Sequence, residues 1–543
     1  PAKKFVLSMI IRIFASSVPT KPLNDAQMRG AFLYIYVYSQ NTLMERLPHF
    51  TKHYMTEADL VVLLKSRGLI ISDEAKAVRY LESIGYYRLS AYMYPFLKVP
   101  KESHQYKEET TFQQVLNLYR FDKKLRMFLL NEIEKVEIAI RRAIMNIPVQ
   151  ITGDIYWLTN SVHFANQRTF QDTKNTIDKE NGGFIGEINH QNVINNNSEK
   201  GAVLNARILW SFSAAYAVEK NPEYLKTAKR AFQYIKDYFF DNEFGGIFWS
   251  LQADGKPKDT KNQIYAIAFV IYGLSEFYKI FKNEDALELA QSLFYKIELY
   301  SKDYKNKGYL EAFTRDWQEI EDLRLSEKDA NEKKTMNTHL HIVEAYSNLY
   351  LIWPNPKLKD SIKEILEVIA LYFINKYTWH LKLFFDENWK EKEDVISYGH
   401  DIEAAWLLQW CAETIEDVDL VRSYQKYAVE FAKSTKEGID SDGGLWYEYE
   451  PKEQKLIAEK HWWPQAELWI GMINAWQLSK NEEFLEITEK NFEFVEKYII
   501  DHKNGEWIWG VYADYSPILK DKAGFWKCPY HNSRACIELI KRL

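Results

Sequence analysis

Cysteine is scarce in this sequence: Cys411, Cys528 and Cys536 are the three in 543 residues, and none stands in a CxxC pair. Three cysteines, a small and odd number, argue against a disulfide framework and indicate a reducing compartment. The absence of a CxxC pair argues against a structural zinc site. There is also no basic excess, since 70 Lys and Arg stand against 76 Asp and Glu. This balance gives no electrostatic basis for general binding to nucleic acid or to an anionic membrane.

Long apolar runs near the start of the chain are missing as well. The apolar stretch at residues 5–14 follows Lys3 and Lys4, which loosely resembles a signal peptide. Arg12 interrupts it, and it is too short to span a bilayer. We therefore expect a cytoplasmic protein with no membrane partner.

Aromatic residues, in contrast, are abundant: 17 Trp, 36 Tyr and 30 Phe make up 15% of the chain. Large helix–helix cores would account for many of them. A carbohydrate site would account for others, because flat rings stack on the C–H faces of sugars while polar groups fix the hydroxyls. Both interpretations remain open at this point.

The length of the chain indicates two or more domains. Residues 1–46 show no clear period and are left unassigned, whereas residues 47–175 carry a helical pattern that predicts a smaller helical domain. From Asn181 onward a glycine–aromatic turn signal recurs roughly every 60 residues, so residues 176–543 form an internal array. The copies begin at Asn181, Gly245, Lys307, Phe385, Ser441 and Asn504, of which the fourth lacks glycine and arrives late.

Two helix-length stretches lie between successive turn signals, for example residues 202–219 and 223–239. Six such hairpins predict an all-α fold in which a ring of inner helices lies inside a ring of outer ones, an (α/α)6 barrel. Its cleft would be lined by the ends of the inner helices. The first outer helix would fall at residues 166–178, a polar stretch with Phe170 and Ile177 as its clear core candidates.

Polar residues inside apolar helical stretches are the candidates for chemistry. Arg207 either pairs with a carboxylate or places a permanent positive charge beside a developing oxyanion. His339 and His341 lie about 200° apart on a helix, so this HxH is a poor metal signal. Asn337 and His341, at four-residue spacing, share a face.

Two further histidines stand beside features that adjust the pKa of an imidazole. His400 and Glu403 are three residues apart, so the carboxylate either forms an ordinary ion pair or orients the ring and raises its pKa. His531 follows Pro529, which suits a first helical turn. The helix dipole there lowers the pKa of the ring and favours its basic form.

Five stretches together resemble the cellobiose 2-epimerase (mannobiose 2-epimerase) branch of the N-acylglucosamine 2-epimerase superfamily, over about residues 181–543. They are residues 205–216, 336–350, 397–408, 462–467 and 526–536. The resemblance implies an (α/α)6 barrel that reversibly inverts C2 of the reducing-end sugar in β-1,4-linked disaccharides such as cellobiose, lactose and mannobiose. It implies no cofactor and no metal, and we expect a monomer whose partner is the disaccharide.

The same resemblance implies eight site residues, which either move protons or hold the sugar. They are His400 and His531 as the general acid/base pair, His341 as the histidine that assists ring opening, Arg207 and Asn337 near the C1 and C2 oxygens, Glu403 as the support of His400, and Trp463 and Trp526 as stacking rings. The chemistry agrees, because inversion beside a carbonyl needs a base on each face of a planar cis-enediol(ate) and no redox cofactor.

The N-terminal part resembles the Abi (AbiD/AbiF-like) abortive-infection family over about residues 47–175. The stretches that carry this resemblance are residues 67–71, 84–92 and 118–126. The family is related to RNases whose motif is an arginine followed closely by a histidine, but residues 141–146 contain no histidine. A helical bundle without chemistry of its own is therefore expected, and RNA is the one nucleic-acid partner that the resemblance implies.

Other enzyme classes fit parts of the pattern. An aldose–ketose isomerase shares the enediol(ate) and protonates C1 instead of C2, and an N-acylglucosamine 2-epimerase-like enzyme would use the same scaffold. A glycoside hydrolase needs two opposed carboxylates, for which Glu311, Asp316 and Glu403 are available. A phage-defence module in the N-terminal segment is a further, non-sugar alternative.

Overall fold

The computed structural model describes residues 55–125 and 176–542, which fall into two compact units. The first unit contains α1 (Glu57–Ser66), α2 (Glu74–Ile84), α3 (Tyr86–Met93) and helical residues 112–125. Thr56 and Asp59 cap the start of α1 by exchanging side chain-to-backbone hydrogen bonds. The core of this unit includes Leu64, Ala77, Leu89 and Val115. Residues 1–46 and 141–146, on which two predictions fall, lie outside the described residues.

The second unit is a ring of six inner helices within residues 176–542. They are α4 (Ala202–Val218), α6 (Ile264–Phe281), α8 (Met336–Tyr350), α10 (Tyr398–Thr414), α12 (Trp462–Ser479) and α14 (Tyr530–Arg542). Each packs against the next, and α14 packs against α4, which closes the ring. Most inner helices are buried on nearly every side, so they carry apolar residues around most of their circumference.

Five outer helices of the described residues pack against the inner ring. They are α5 (Pro222–Tyr234), α7 (Glu284–Lys296), α9 (Pro356–Val368), α11 (Val418–Thr435) and α13 (Glu483–Tyr498). Their sequences are amphipathic because only one face is buried. The first three continue into a π-helical turn, at Ile235–Phe239, Ile297–Ser301 and Ile369–Phe373. Of the outer helix predicted at 166–178, residues 166–175 lie outside the described part.

One described helix, α6, is long and apolar enough by composition to cross a membrane. Its most apolar window is 72% buried inside the protein, which is the environment of an inner barrel helix. Burial in the core therefore accounts for its apolar sequence.

The prediction of an all-α fold is incomplete, because eleven short strands join the helices of residues 176–542. They are β1 (Lys200–Gly201), β2 (Phe248–Leu251), β3 (Pro257–Gln263), β4 (Ala312–Phe313), β5 (Lys334–Thr335), β6 (Phe384–Phe385), β7 (Ile396–Ser397), β8 (Glu448–Glu450), β9 (Lys455–Ile457), β10 (Glu459–His461) and β11 (Gly510–Tyr512). They form antiparallel sheets in the orders β1-β2-β3-β4, β5-β6, β7-β8-β9 and β10-β11. Several end one residue before an inner helix, so they fix where that helix begins.

The repeated turn signal corresponds to a repeated structure, in which one antiparallel bridge closes a turn after each outer-helix position. The bridged pairs are Ile177 with Phe184, Phe240 with Ile247, Lys302 with Tyr309, Ile374 with Leu381, Ile439 with Leu445, and Ile500 with Trp507. The predicted fourth copy at Phe385 is wrong. The fourth turn lies earlier, at 374–381, and residues 385–391 form a different loop that also occurs at 313–319.

An acid–base pair stabilises five of the six turns, and in four of them its cation is a buried lysine. The pairs are Lys200 with Asp178, Arg315 with Asp241, Lys334 with Asp303, Lys460 with Asp440, and Lys522 with Asp501. Several of these lysines also donate to a backbone carbonyl of the same turn, as Lys334 does to Lys307. In the fourth turn Asn375 takes the place of the aspartate, so no compensating cation is needed there.

Replacing Lys334 by methionine should destabilise the protein by about 3 kcal/mol, because removing one partner of a buried pair leaves an uncompensated charge. Lys334 is fully buried and lies 2.9 Å from Asp303. The matched control is Lys363→Met, since Lys363 is 47% exposed in its pair with Asp417 and should cost less than about 1 kcal/mol. Urea unfolding measures both variants, and equal losses in the two would contradict this role of Lys334.

Candidate active site

A cavity of about 810 Å³ opens at the end of the barrel where the inner helices begin. All eight residues that the sequence singled out line it, and seven of them come from the first two turns of an inner helix. They are Arg207 of α4, Asn337 and His341 of α8, His400 and Glu403 of α10, Trp463 of α12, His531 of α14, and Trp526 shortly before α14. The helix N-termini that surround the cavity favour negative charge inside it.

The two histidines of α8 point to different places, as their spacing predicted. His341 lines the cavity and its Nδ1 lies 2.8 Å from Oε2 of Glu344. His339 is buried away from the cavity, where its Nδ1 contacts the backbone carbonyl of Thr335 and its Nε2 accepts from the backbone N–H of Tyr309. Burial lowers the pKa of His339 to about 3, so it is a neutral structural residue.

His400 is held differently from the prediction. Its Nδ1 lies 2.8 Å from the hydroxyl of Ser397, and its ring centroid lies 4.8 Å from that of Trp463. Glu403 is not its hydrogen-bond partner, because that carboxylate binds Arg534. The nearby charge of Glu403 still favours protonation of His400, but burial outweighs it and lowers the pKa of His400 to about 4. Neither interpretation of this pair, an ordinary ion pair or an orienting contact that raises the pKa of His400, agrees with this arrangement.

His531 is the second residue of α14 and is buried. Its Nδ1 lies 2.7 Å from Oε1 of Glu467, on the neighbouring helix α12. Burial lowers the pKa of His531 well below its usual value, and the positive charges of Arg207 and Arg534 lower it further. The direction agrees with the prediction from the sequence, but burial and two guanidinium groups account for it.

Arg207 is a buried cation that faces the cavity. It donates from Nη2 to the hydroxyl of Tyr265 at 2.9 Å and from Nη1 to the carbonyl of Trp526 at 3.1 Å. Its guanidinium also lies over the rings of Phe269 and Tyr530, at 4.3 and 5.0 Å. The described side chains give it no carboxylate partner within ion-pair distance, so its charge is available to a ligand.

Aromatic rings form two parts of the cavity wall. Trp463 contacts both His400 and His531, with ring centroids 4.8 and 5.6 Å away. Trp526 packs against Trp249 and Tyr265 at 5.7 and 6.3 Å. Both imidazoles therefore border the same indole, as stacking of a sugar ring beside them requires.

The sequence matches the N-acylglucosamine 2-epimerase (GlcNAc 2-epimerase) family over residues 183–535. The chain belongs to this family. It is 47% identical over 365 residues to a cellobiose 2-epimerase of Bacteroides fragilis, and the aligned region covers 67% of this chain and 93% of that relative. A Ruminococcus albus cellobiose 2-epimerase is 39% identical with the same shares covered. The solved cellobiose 2-epimerase of Bacillus thermoamylovorans B4167 superposes with a TM-score of 0.67 at 36% identity, covering 70% of this chain and 99% of that one.

Membership in this epimerase family makes the chain a carbohydrate epimerase, and the structure adds Glu344, Glu467 and Arg534, to which the sequence gave no role. Beneath the histidines lies a buried layer of charge made by Glu344, Glu403, Glu467 and Arg534. Glu344 and Arg534 each follow a cavity histidine by three residues, a local signal that could have been used. Glu467 reaches His531 from another helix, and local spacing gives no sign of that contact.

Candidate metal ligands in the described residues form one group, Glu403, Glu467 and His531, whose ligand atoms lie within 4.8 Å of one another. The guanidinium of Arg534 already contacts both carboxylates, at 2.7 Å in the case of Glu467. The cation in this position is therefore an arginine side chain.

The three carboxylates considered for hydrolysis are each held by other residues of the described chain. Glu311 lines the cavity but accepts hydrogen bonds from the N–H of Thr335 and the hydroxyl of Thr338, at 2.8 and 2.5 Å. Asp316 binds the hydroxyl of Thr314 and is not part of the cavity wall. Glu403 is held by Arg534, so each of the three carboxylates considered already has a partner among the described residues.

Proposed function

We propose that this epimerase reversibly inverts C2 of the reducing-end sugar in β-1,4-linked disaccharides such as cellobiose, mannobiose and lactose. The observation that carries the proposal is the convergence of His341, His400 and His531 with the guanidinium of Arg207 on one cavity. Its volume of about 810 Å³ is within the range of sites for ligands of this size. The names of the relatives support the same substrate class.

In the proposed reaction one imidazole removes the proton from C2 of the open-chain aldose. The electron pair of the C–H bond forms the C1–C2 double bond, and the carbonyl oxygen becomes the enediolate oxygen. His400 and His531 serve as the acid/base pair: the neutral ring takes up the C2 proton and becomes an imidazolium, and the ring on the opposite face, which holds a proton when the step begins, returns one to C2. Each such transfer contributes roughly 10²–10⁴-fold to the rate.

The other residues of the cavity hold the substrate and its charge. Arg207 and Asn337 would contact the oxygens at C1 and C2, where Arg207 stabilises the enediolate. His341 would move protons during ring opening, in which one proton leaves the O1 hydroxyl and another is delivered to the ring oxygen. Trp463 and Trp526 would stack on the sugar rings. Glu403 would act through Arg534, whose guanidinium its carboxylate contacts.

The rate of C2 proton exchange should begin to fall, as the pH is lowered, only below the pKa of an ordinary histidine. Burial lowers the pKa of His400 to about 4, and it lowers that of His531 well below the usual value. A lowered pKa keeps the neutral, basic form at lower pH, so kcat/KM for C2 proton exchange should change little between pH 8 and 6. An exchange rate that already falls by half near pH 6.5 would contradict this assignment.

Incubation with cellobiose, mannobiose and lactose, followed by separation of the products, tests the activity itself. The expected products are the C2 epimers, with the second sugar still attached. Ketose products in their place would indicate the aldose–ketose isomerase, and released monosaccharide would indicate hydrolysis. Either result would replace the proposed function.

We also propose that the enzyme works as a cytoplasmic monomer without cofactor or metal, and that residues 47–175 form an Abi-like helical domain with no chemistry of its own. The separate core of the described residues 55–125 supports a distinct domain. Toxicity on expression that persists in a His400→Asn variant would instead assign an activity, directed at RNA, to that domain.

A further inference from the structure

Arg534 joins two of the cavity histidines through a continuous set of buried contacts. Its Nη1 donates to Oε1 of Glu344 at 2.6 Å, and its Nη2 donates to Oε1 of Glu467 at 2.7 Å. Glu344 in turn accepts from Nδ1 of His341, and Glu467 accepts from Nδ1 of His531. One guanidinium therefore stands behind both imidazoles, one layer below the cavity.

The charge of this layer makes Arg534 indispensable to it. Glu344, Glu403 and Glu467 are each at most 1% exposed, and three buried carboxylates so close together repel one another. Although burial alone would raise the pKa of Glu344, the charge of Arg534 and the hydrogen bond from His341 bring it down to about 2. Burial keeps the pKa of Glu467 raised despite Arg534.

An ionised carboxylate only accepts hydrogen bonds, so it determines which nitrogen of its histidine carries the proton. With Glu344 ionised, Nδ1 of His341 must be the donor, and the lone pair is on Nε2. The same holds for His531 as long as Glu467 is ionised. Nε2 is the remaining nitrogen of each cavity-lining ring, so both rings present a base to the substrate.

We propose that Arg534 is a positioning residue for catalysis: its guanidinium holds the carboxyl groups of Glu344 and Glu467 in place, and through them it sets the tautomer and the orientation of His341 and His531 together. This inference rests on the proposed epimerisation and extends it to how the proton-transfer groups are coupled. His400 is outside this arrangement, because its Nδ1 lies against the neutral hydroxyl of Ser397. A hydroxyl both donates and accepts, so it leaves His400 able to change tautomer.

The pH dependence expected from this network involves every charged or titratable group around the two rings. These groups are Arg207 of α4, Tyr265 of α6, Glu344 of α8, His400 and Glu403 of α10, Glu467 of α12, and Cys528, Tyr530 and Arg534 in or beside α14. Arg534 is the cation that contacts the carboxylates behind the rings, so its removal should change proton uptake by His531.

The experiment compares Arg534→Met and Arg534→Lys with the wild type in the epimerisation of cellobiose. Arg534→Met should lower kcat at least about 100-fold with KM changed less than about 3-fold, since Arg534 does not line the cavity. The acid limb of its kcat/KM profile should move to higher pH, because the loss of a nearby positive charge raises the pKa of His531. Arg534→Lys keeps the positive charge, so the acid limb of its kcat/KM profile should stay at the wild-type pH. Its kcat should fall about 10-fold, because lysine cannot reproduce the contacts of the guanidinium.

A buried cation elsewhere in the barrel provides the matched control. Lys302 is 11% exposed and contacts the carboxylates of Glu298 and Glu364. None of its ion-pair or ring partners among the described residues lines the cavity. Lys302→Met should lower stability and leave both kcat and the acid limb unchanged. A shift of the acid limb in Lys302→Met as large as in Arg534→Met would overturn the inference.

Two further outcomes separate the inference from the function on which it rests. If the wild type does not invert C2, the proposed function fails, whereas wild-type kinetics in a folded Arg534→Met variant would overturn the role of Arg534 alone. If Arg534→Met does not fold, the kinetics of Arg534→Lys test the role of Arg534. A single ammonium cannot present two separate nitrogens to Glu344 and Glu467, so an unchanged kcat in that variant refutes the proposal.

Discussion

His531→Asn and His400→Asn should each abolish net inversion at C2, with a loss of about 10⁴-fold or more, while the barrel stays folded. Each substitution removes one of the two bases that the proposed mechanism needs, and a lost proton transfer alone accounts for up to about 10⁴-fold. Both side chains face a cavity instead of packing into a core. Asparagine is also close to histidine in shape near the backbone, so the loss should be chemical.

Hydrogen exchange in D₂O distinguishes two-base catalysis from a general collapse of the site. Each variant should still exchange the C2 hydrogen of the one epimer that faces its remaining histidine, and the two variants should retain opposite epimers. His502→Asn is the control, because this exposed histidine lies away from the cavity. Near-normal inversion in either His400→Asn or His531→Asn, or exchange of both epimers by one variant, would refute the assigned pair.

Arg207→Met should lower kcat about 10²–10³-fold, corresponding to about 3–4 kcal/mol of lost transition-state stabilisation. Arg207 is buried, it faces the cavity, and its charge is not neutralised by a carboxylate of the described residues. An enediolate develops negative charge where the aldehyde had little, so the loss should appear mainly in kcat and less in KM.

Arg207→Lys separates charge from geometry. The guanidinium is held by Tyr265, by the carbonyl of Trp526 and by two aromatic faces, whereas an ammonium cannot make the same set of contacts. Partial recovery, to within about 10-fold of the wild type, is therefore expected. A methionine variant with unchanged kcat but raised KM would show that Arg207 only binds the substrate.

The fold could be predicted from the sequence because the barrel repeats a turn that carries glycine and aromatic residues. The fourth turn was misplaced because the backbone bridge does not itself require glycine: Ile374 and Leu381 form it around Asn375. The short strands were missed for a related reason. Strands of two or three residues are too short to show an alternating pattern.

The sequence identified residues that line one cavity where the information lies on a single helix. The same spacing of three residues connects His341 to Glu344 and His400 to Glu403, yet only the first pair is hydrogen-bonded. Spacing along a helix shows which side chains are neighbours, but it does not show which of the neighbours forms the hydrogen bond. Glu403 instead pairs with Arg534, which lies on a different inner helix. The order of residues along the chain gives no sign of such a contact between helices.

The two ends of the barrel are built unequally. The segment that connects an inner helix to the following outer helix has only a few residues, such as Lys282 and Asn283. The segment that connects an outer helix to the next inner helix is longer, and it contains the bridged turns, the strands and the loops that border the cavity. Natural variation in those loops can therefore change which second sugar is accepted without disturbing the helical ring. The compact end is the place to attach a tag or a surface anchor, because a change there is remote from the substrate entrance.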